Sequence, residues 1–322
     1  MARSAAPPLV VIGAGAAGLA AAIAAASAGA PVVLLERTPD GGRKIVVSGG
    51  GRCNVLPSVA APERFVTDSS PNTLRKLLLA WPLAEQRRFF EDEVGVSLAL
   101  EAETGKLFPA SNRARDVRDG LVALARRRGA TLRFGTAVAA IEPPASDGDW
   151  IVRLADGTAL QARAVVVATG GLSLPGTGSD GKGFEWMRRL GLDVRDTYPA
   201  LTPLTAEPPP HADLAGLSAV VTLTAPATGD ARELSMREGF LFTHRGYSGP
   251  AVLDLSHRAV RAQMSGQPQP LLVRWIDFDA NGWEALLREG KGATGALLRR
   301  HLPDRLADCL LQENAVDATR PL

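Results

Sequence analysis

The sequence predicts an α/β fold, in which a parallel sheet with flanking helices is followed by a β-rich part and a helical part. A short apolar run at 9–12 leads into a glycine-rich turn, an alanine-rich helical stretch and a second apolar run. A third apolar run, 164–168, comes much later, and such unbroken runs are typical of buried parallel strands. After about residue 192, apolar and polar residues alternate among many prolines, which indicates strands and loops. We therefore predict three domains, 1–192, 193–276 and 277–322.

The composition is that of a globular protein, with 46% apolar and 22% charged residues in a chain of 322. The net charge of +2 does not favour a nucleic-acid partner, although the basic stretch 113–128 offers a local patch. Because Cys53 and Cys309 lie far apart and no Cys/His spacing typical of a metal site is present, we expect no disulfide framework and no metal. We expect a cytoplasmic protein without a membrane span, since residues 1–8 do not resemble a secretory signal and glycines interrupt the first apolar stretch.

A glycine-rich turn joins the first predicted strand to the first predicted helix. Gly13 permits the tight turn, Gly15 lets the backbone approach a pyrophosphate, and Gly18 allows close packing of helix and strand. The phosphates would meet the N–H groups at the start of the helix, at Ala16 and Ala17. The alternative is a packing turn without a ligand. The predicted elements around and after this turn are strands 9–12, 32–36, 131–142, 149–155 and 158–163 and helices 16–28, 74–95 and 114–128.

An acidic residue and a second motif narrow the identity of the dinucleotide. Glu36 ends the second strand, where it can accept hydrogen bonds from ribose hydroxyls but would repel a 2′-phosphate, which leaves FAD or NAD. The third apolar run ends in Ala168, Thr169 and Gly170, an ending typical of flavoproteins of the two-dinucleotide-binding type. The two motifs together favour FAD. Val138 is a candidate for backbone contact with adenine, and a plain core valine is the alternative.

A third motif is the glycine-rich loop at 40–54. Its consecutive glycines leave backbone N–H groups that can wrap an anion or lie flat on a ring, and Arg43, Lys44 and Arg52 would balance cofactor phosphates. The alternative is a flexible loop. The further predicted cofactor contacts are Ser48, Gly49, Gly50, Gly51, Cys53 and Asn54 in this loop, with Arg37 after Glu36 and Gly171 after Gly170.

Five segments resemble a known family, in the right order and over nearly the whole chain: GAGAAGLAAA, GRKIVVSGGGRCNV, ATGGLSLPGTGSDGKGFEWMRRLG, PALTPL and GFLFTHRGYSGPAVLDLS. They are similar to the YhiN-type flavoproteins, the NAD(P)/FAD-dependent oxidoreductases of the BaiN/RdsA type, also called the aminoacetone oxidase family. The resemblance implies a Rossmann-like FAD-binding domain, interrupted by a β-barrel-like domain and a small helical segment. Family members have been linked to amine oxidation, reduction of a steroid enone and dihydrouridine formation in ribosomal RNA.

The sequence departs from the family pattern at its end. Family chains return from the helical part to the FAD domain through a Gly-Glu…Asp…Gly-Gly-Tyr-Asn-type segment that covers the flavin, and no such segment occurs before Leu322. We therefore expect a C-terminally truncated member. Leu174 also replaces a usual aromatic residue, and Leu192 a frequent histidine.

Candidate catalytic residues follow from flavin chemistry, in which N5 takes or gives a hydride and the protein supplies position and electrostatics. Cys53 is the first candidate for a proton donor, with Arg52 beside it to favour the thiolate, and the alternative is a small residue that packs the loop. His244, Arg245 and Tyr247 are the next candidates, on a loop expected to face the substrate. His244 has the alternative of bonding only a backbone carbonyl.

The leading hypothesis is an FAD-dependent oxidoreductase that acts on a small-molecule substrate and is reduced by NAD(P)H or by that substrate. Because only one complete dinucleotide fingerprint is present, we expect no separate NAD(P)H domain. One alternative is a flavin-dependent enzyme that forms dihydrouridine in ribosomal RNA, with phosphates held by the basic stretch. The other alternative is a non-catalytic remnant that retains the fold without a complete flavin site.

Overall fold

The computed structural model describes residues 6–145, 148–229 and 232–322. It divides the chain into two compact units, 1–195 and 196–322. Residues 1–5 of the leading segment considered for a secretory signal lie outside the described residues. Within the described ranges, no helix has both the length and the apolar character that a bilayer crossing requires.

Among its described residues, the first unit contains ten strands and six α-helices. The strands are β1 (Leu9–Ile12), β2 (Val32–Glu36), β3 (Leu56–Pro57), β4 (Leu98–Glu101), β5 (Lys106–Pro109), β6 (Thr131–Phe134), β7 (Val138–Glu142), β8 (Trp150–Leu154), β9 (Ala159–Ala162) and β10 (Ala164–Val167). The helices are α1 (Ala16–Ser27), α2 (Arg43–Val47), α3 (Pro71–Ala80), α4 (Leu83–Arg88), α5 (Ala114–Arg127) and α6 (Lys182–Arg189).

A four-stranded parallel sheet in the order β10-β1-β2-β6 forms the centre of the first unit. Its neighbouring strands pair in register, with Leu9 opposite both Val32 and Ala164. The prediction of an α/β fold of Rossmann type is confirmed. Two smaller antiparallel sheets, β3-β5-β4 and β7-β8-β9, accompany the parallel one.

Two predicted elements are divided in the structure. The predicted strand 131–142 is two strands, β6 and β7, because Gly135 adopts a left-handed conformation (φ 67°) and turns the chain between them. The predicted helix 74–95 is also interrupted, because Pro82 disfavours helical geometry at the residue before it, Trp81. Helix α3 therefore ends before Trp81, and α4 begins after Pro82. A π-helical turn, Phe89–Val94, then extends α4.

Both faces of the parallel sheet are buried, which explains the unbroken apolar runs in its strands. On one face Val11 and Leu34 pack with side chains of α1 and α5, including the buried Leu121. On the other face Val10 and Leu35 join a second cluster with residues of β7, β8 and α6. The sheet therefore presents its strand ends, rather than its faces, to a ligand.

The described part of the second unit contains a five-stranded antiparallel sheet and four α-helices. The strands are β11 (Leu204–Thr205), β12 (Ser218–Ala225), β13 (Leu234–Thr243), β14 (Gly246–Ser248) and β15 (Leu272–Arg274), in the order β11-β14-β13-β12-β15. The helices are α7 (Pro250–Met264), α8 (Ala280–Glu289), α9 (Thr294–Leu298) and α10 (Asp304–Glu313).

One core joins the sheet and the helices of the second unit. Phe242 of β13, Leu255 of α7 and Leu306 of α10 are at most 1% exposed and belong to the same apolar cluster. Helix α7 lies inside the segment expected to be β-rich, and it begins where Pro250 takes the first helical position. The domain boundaries at 192 and 276 stay predictions, and the structure places the residues on either side of 276 in one compact unit.

Candidate functional site

A cavity of about 670 Å³ opens in the first unit at the carboxyl ends of β1, β2 and β10. Ile12, Leu35 and Val167 line it at these strand ends. In open parallel sheets, ligands bind outside the carboxyl ends of the strands. The volume lies within the usual range of small-molecule and cofactor sites, about 300–1,000 Å³.

The glycines of the turn after β1 have distinct roles in this geometry. A Cβ on Gly13, whose φ is 105°, would lie 2.5 Å from the carbonyl oxygen of Ala168. A Cβ on Gly18 would lie 1.8 Å from the carbonyl oxygen of Gly13, so α1 can pack against the turn only with glycine there. Gly15 differs, because a Cβ there would meet no protein atom within 4 Å, and the residue lines the cavity. The turn therefore leaves open space beside Gly15 in which a ligand can approach the backbone.

Helix α1 directs its N-terminus at the cavity. Gly15 caps the helix without a side-chain hydrogen bond, the first turn carries no acidic residue, and Ala16 and Ala17 line the cavity. The first N–H groups of a helix lack partners within the helix, and the helix dipole makes this end positive. An anionic group such as a pyrophosphate fits this position.

Glu36 lies beside the glycine turn at the end of β2. Its carboxylate accepts hydrogen bonds from the N–H of Ala14 at 2.7 Å and from the N–H and hydroxyl of Thr38, each at 2.8 Å. Because a carboxylate can accept about four hydrogen bonds, Glu36 keeps capacity for a ribose hydroxyl. The contact with Ala14 fixes the acid next to the proposed phosphate position.

Residues of the loop after β10 bind two cationic side chains of the cavity, in contacts that the sequence did not indicate. Lys44 donates to the hydroxyls of Ser179 at 2.7 Å and Ser173 at 3.1 Å. Arg37 pairs with Asp180 at 2.6 Å and lowers the pKa of that carboxyl. These partners lie more than 120 residues apart in sequence, so no local pattern could have joined them.

Most of the predicted cofactor residues line this one cavity. They are Gly13, Gly15, Ala16, Ala17, Glu36, Arg37, Arg43, Lys44, Ser48, Cys53, Asn54, Val138, Ala168, Thr169 and Gly170. Sequence reasoning missed several further lining residues, namely Val117 and Leu121 of α5, Thr136, Phe184 and Trp186. The apolar face of α5 had indicated only a helix that packs on a core.

Six predicted contacts are not among the residues that line the cavity: Gly18, Gly49, Gly50, Gly51, Arg52 and Gly171. Gly18 lies beneath the turn, against Gly13. Arg52 is engaged elsewhere, because its guanidinium binds Glu101 at 2.9 Å and stacks 4.2 Å from the centre of the Phe108 ring. A contact between these residues and a cofactor stays a prediction.

Cys53 lines the cavity but does not have the expected thiolate character. The residue is 6% exposed, and burial raises the pKa of its thiol, which the hydrogen bond with Ser48 only partly offsets. Arg52, which was expected to stabilise the thiolate, is held by Glu101 instead. The thiol is therefore protonated near neutral pH, and its role as a proton donor stays a prediction.

The other catalytic candidates belong to the second unit. His244 and Arg245 form the exposed two-residue turn between β13 and β14. Tyr247 lies in β14, where its hydroxyl is 2.5 Å from Nδ1 of His211 and burial raises its pKa. None of the three lines the cavity of the first unit, so their catalytic roles stay predictions.

The chain is similar to several known proteins. Residues 7–296 match the HI0933-like protein Rossmann domain. The chain is 33% identical over 217 residues to the "Ribosomal RNA dihydrouridine synthase" of Escherichia coli K12, which covers 67% of this chain and 52% of the relative. It is 29% identical over 240 residues to the "3-dehydro-bile acid delta(4,6)-reductase" of Clostridium scindens, which covers 73% of this chain and 56% of the relative. The chain thus spans about half the length of these curated relatives.

Solved structures are more distant. THI4 of Thermovibrio ammonificans aligns with a TM-score of 0.40 and 17% identity, over 65% of this chain and 71% of that protein. A likeness at this level carries no argument about function.

Proposed function

The chain belongs to the HI0933-like Rossmann-domain family, as its motifs predicted, and on that premise we propose that it is an FAD-dependent oxidoreductase. The observation that carries the proposal is the cavity in which the glycine turn, Glu36 and the end of β10 meet. The space beside Gly15 is the cradle that a Cβ would fill, and it fits the backbone approach of a pyrophosphate.

Different residues of the cavity would bind different parts of FAD. The N-terminus of α1 and the ammonium of Lys44 place positive charge where the pyrophosphate would bind, while Glu36 would accept from the ribose. Bound FAD would supply a hydride acceptor and donor that protein side chains lack. Reduction of a double bond also needs a proton, and the protonated thiol of Cys53 is a group in the cavity that can supply one. In that direction NAD(P)H would provide the electrons, whereas a substrate that is oxidised would itself reduce the flavin.

Flavin content tests the proposal directly. We expect the purified protein to show a flavin absorption band and, after denaturation, about one FAD per chain, as a bound cofactor requires. Gly15→Val should fold but lose FAD, because its side chain would enter the space where the backbone approaches the phosphate. Ala24→Val is the matched control, since it adds a β-branched side chain at an exposed position of the same helix, away from the cavity.

Two outcomes would count against this assignment. A colourless protein that takes up no added FAD would overturn the proposal and favour the non-catalytic alternative. If Gly15→Val and Ala24→Val retain equal amounts of FAD, the proposed position of the pyrophosphate beside Gly15 is wrong, even though the protein binds flavin.

A second candidate function is dihydrouridine formation in ribosomal RNA. It is supported by the names of two relatives, from Escherichia coli at 33% identity and Haemophilus influenzae at 31%. The basic stretch is already engaged in part: Arg118 pairs with Asp119, and Arg127 and Arg128 each bond Glu93 at 2.9 Å. Phosphate binding by this stretch would therefore compete with intramolecular contacts.

Ribosomal RNA from a deletion strain of the source organism tests this second candidate. Mass spectrometry of its nucleosides should show loss of a dihydrouridine, and expression of this chain should restore it. Binding of the purified chain to that RNA should weaken steeply as salt rises, because phosphate contacts release counterions. An unchanged dihydrouridine content in the deletion strain would exclude this function, but it would not bear on the proposal that the chain binds FAD.

A further inference from the structure

The second unit brings together three metal-ligating side chains, none of which lines the cavity of the first unit. One donor atom each from His211, Cys309 and Glu313, namely an imidazole nitrogen, the thiol sulfur and a carboxylate oxygen, lie within 4.8 Å of one another. Cys309 and Glu313 are four residues apart on α10 and so share one face of that helix. His211 precedes a short 3-10 turn, Ala212–Leu214, far upstream in sequence.

We propose that these three side chains form a binding site for one zinc ion. Zinc binds thiolate, imidazole and carboxylate ligands in tetrahedral sites, at about 2.0–2.3 Å. Ligand atoms already within 4.8 Å of one another need only small side-chain adjustments to surround one ion at those distances. The mixed set of one thiolate, one imidazole and one carboxylate selects a borderline-soft ion rather than Mg²⁺ or Ca²⁺. Three protein ligands leave a fourth position for water or a small ligand.

The surroundings of His211 orient it as a metal-ligating histidine is usually oriented. Its Nδ1 lies 2.5 Å from the hydroxyl of Tyr247, and its Nε2 lies 2.5 Å from Oε1 of Glu313. When Tyr247 accepts a hydrogen bond from Nδ1, Nε2 is left as the ligand nitrogen, directed at the cluster. The imidazole also packs edge-to-face on Phe242, with ring centres 5.8 Å apart, which restricts its rotation.

Backbone and charge complete the site. Arg305 of α10 donates to the main-chain oxygen of Asp213, which fixes the turn after His211 against the helix that carries the other two ligands. The carboxylate of Glu313 adds negative charge to the site, which favours a cation there. The ion would join α10 to the loop before β12.

Metal content and cobalt spectroscopy test the site without reference to flavin. We expect about one zinc per chain after expression with zinc, and full recovery of that zinc after chelation and readdition. Cobalt added to the metal-free protein should give the near-ultraviolet charge-transfer band of a thiolate ligand. Cys309→Ser should abolish the band, whereas Cys53→Ser, the matched change at the other cysteine, should keep it.

Two histidine variants and one tyrosine variant complete the design. His211→Gln should lose zinc, while His301→Gln, at an exposed histidine of the same unit, should keep it. Tyr247→Phe should retain the stoichiometry but weaken zinc affinity about 10–100-fold, the usual effect of removing the partner that orients a histidine ligand. A wild-type protein with neither bound zinc nor a cobalt–thiolate band would overturn the proposal, whether or not the ligand variants fold. Equal zinc in Cys309→Ser and wild type would overturn it as well.

Discussion

The same added methyl group should destabilise the protein at one glycine of the turn and have little effect at another. In Gly18→Ala, the new Cβ would start 1.8 Å from the carbonyl oxygen of Gly13 and 3.3 Å from Cβ of Ala168. That oxygen is backbone, so α1 or the turn must move by more than an ångström. Overpacking of this kind costs about 1–3 kcal/mol, and the better helix propensity of alanine returns at most about 1 kcal/mol. Because an approach of 1.8 Å to a backbone atom places the cost at the upper end of that range, we expect a net destabilisation of about 2 kcal/mol.

Gly15→Ala is the matched change, and we expect it to leave the free energy of unfolding nearly unchanged. Gly15 has an extended backbone (φ −76°, ψ −175°) that alanine adopts readily, and its Cβ would meet no protein atom within 4 Å. Reduced freedom of the unfolded chain favours the variant by about 0.4–1 kcal/mol. Because alanine is a poorer N-cap than glycine, that gain is offset, and we expect little net change.

The free energy of unfolding of the FAD-free forms separates the two variants. Urea titration of the wild type, Gly18→Ala and Gly15→Ala, followed by far-ultraviolet circular dichroism, gives midpoints that can be compared at equal slope. A Gly18→Ala variant that unfolds at the wild-type midpoint would contradict the clash with the oxygen of Gly13. Equal destabilisation of Gly15→Ala and Gly18→Ala would contradict the open space at Gly15, because the whole turn would then exclude a side chain.

Four further predictions concern three side chains. Lys44→Met should weaken FAD binding about 10–100-fold in a fluorescence titration, since a charged hydrogen bond is worth about 1.5–3 kcal/mol, whereas the exposed Lys76→Met should not. At pH 8, iodoacetamide should alkylate Cys53 more slowly in folded than in urea-unfolded protein, because burial raises its pKa and leaves less thiolate; equal rates by mass spectrometry would contradict this. The same raised pKa should make folding stability fall as pH rises above the ordinary thiol pKa, and Cys53→Ala should lessen that fall in urea titrations between pH 8 and 10. Phe242→Ala, at a side chain 1% exposed and stacked on Trp275, should destabilise the second unit by about 3–5 kcal/mol, while a change below 1 kcal/mol would show that the site repacks.

Local patterns were sufficient to predict the βαβ unit and the approximate place of the cofactor. The strands at 9–12 and 32–36 and the helix between them agree with the structure to within a residue, because buried parallel strands and an alanine-rich helix have distinct local signatures. Gly13 and Gly18 were also predictable from the local sequence, because Gly13 adopts a φ of 105° in the turn and Gly18 packs against Gly13. The close approach of Ala168 to Gly13 depends on the tertiary structure. The family that these motifs indicated is confirmed by the match over residues 7–296.

Interactions between distant segments were set by the tertiary structure alone. Arg52 lies next to Cys53 in sequence, but its guanidinium pairs with Glu101, so the thiol is governed by burial and not by its neighbour's charge. Likewise, Cys309 showed no metal-type spacing, and only the packing of α10 against the loop at His211 brings their ligand atoms within 4.8 Å. Secondary structure follows from propensities and periodicities that act over a few residues, whereas pKa values and ligand geometry depend on which side chains folding makes neighbours.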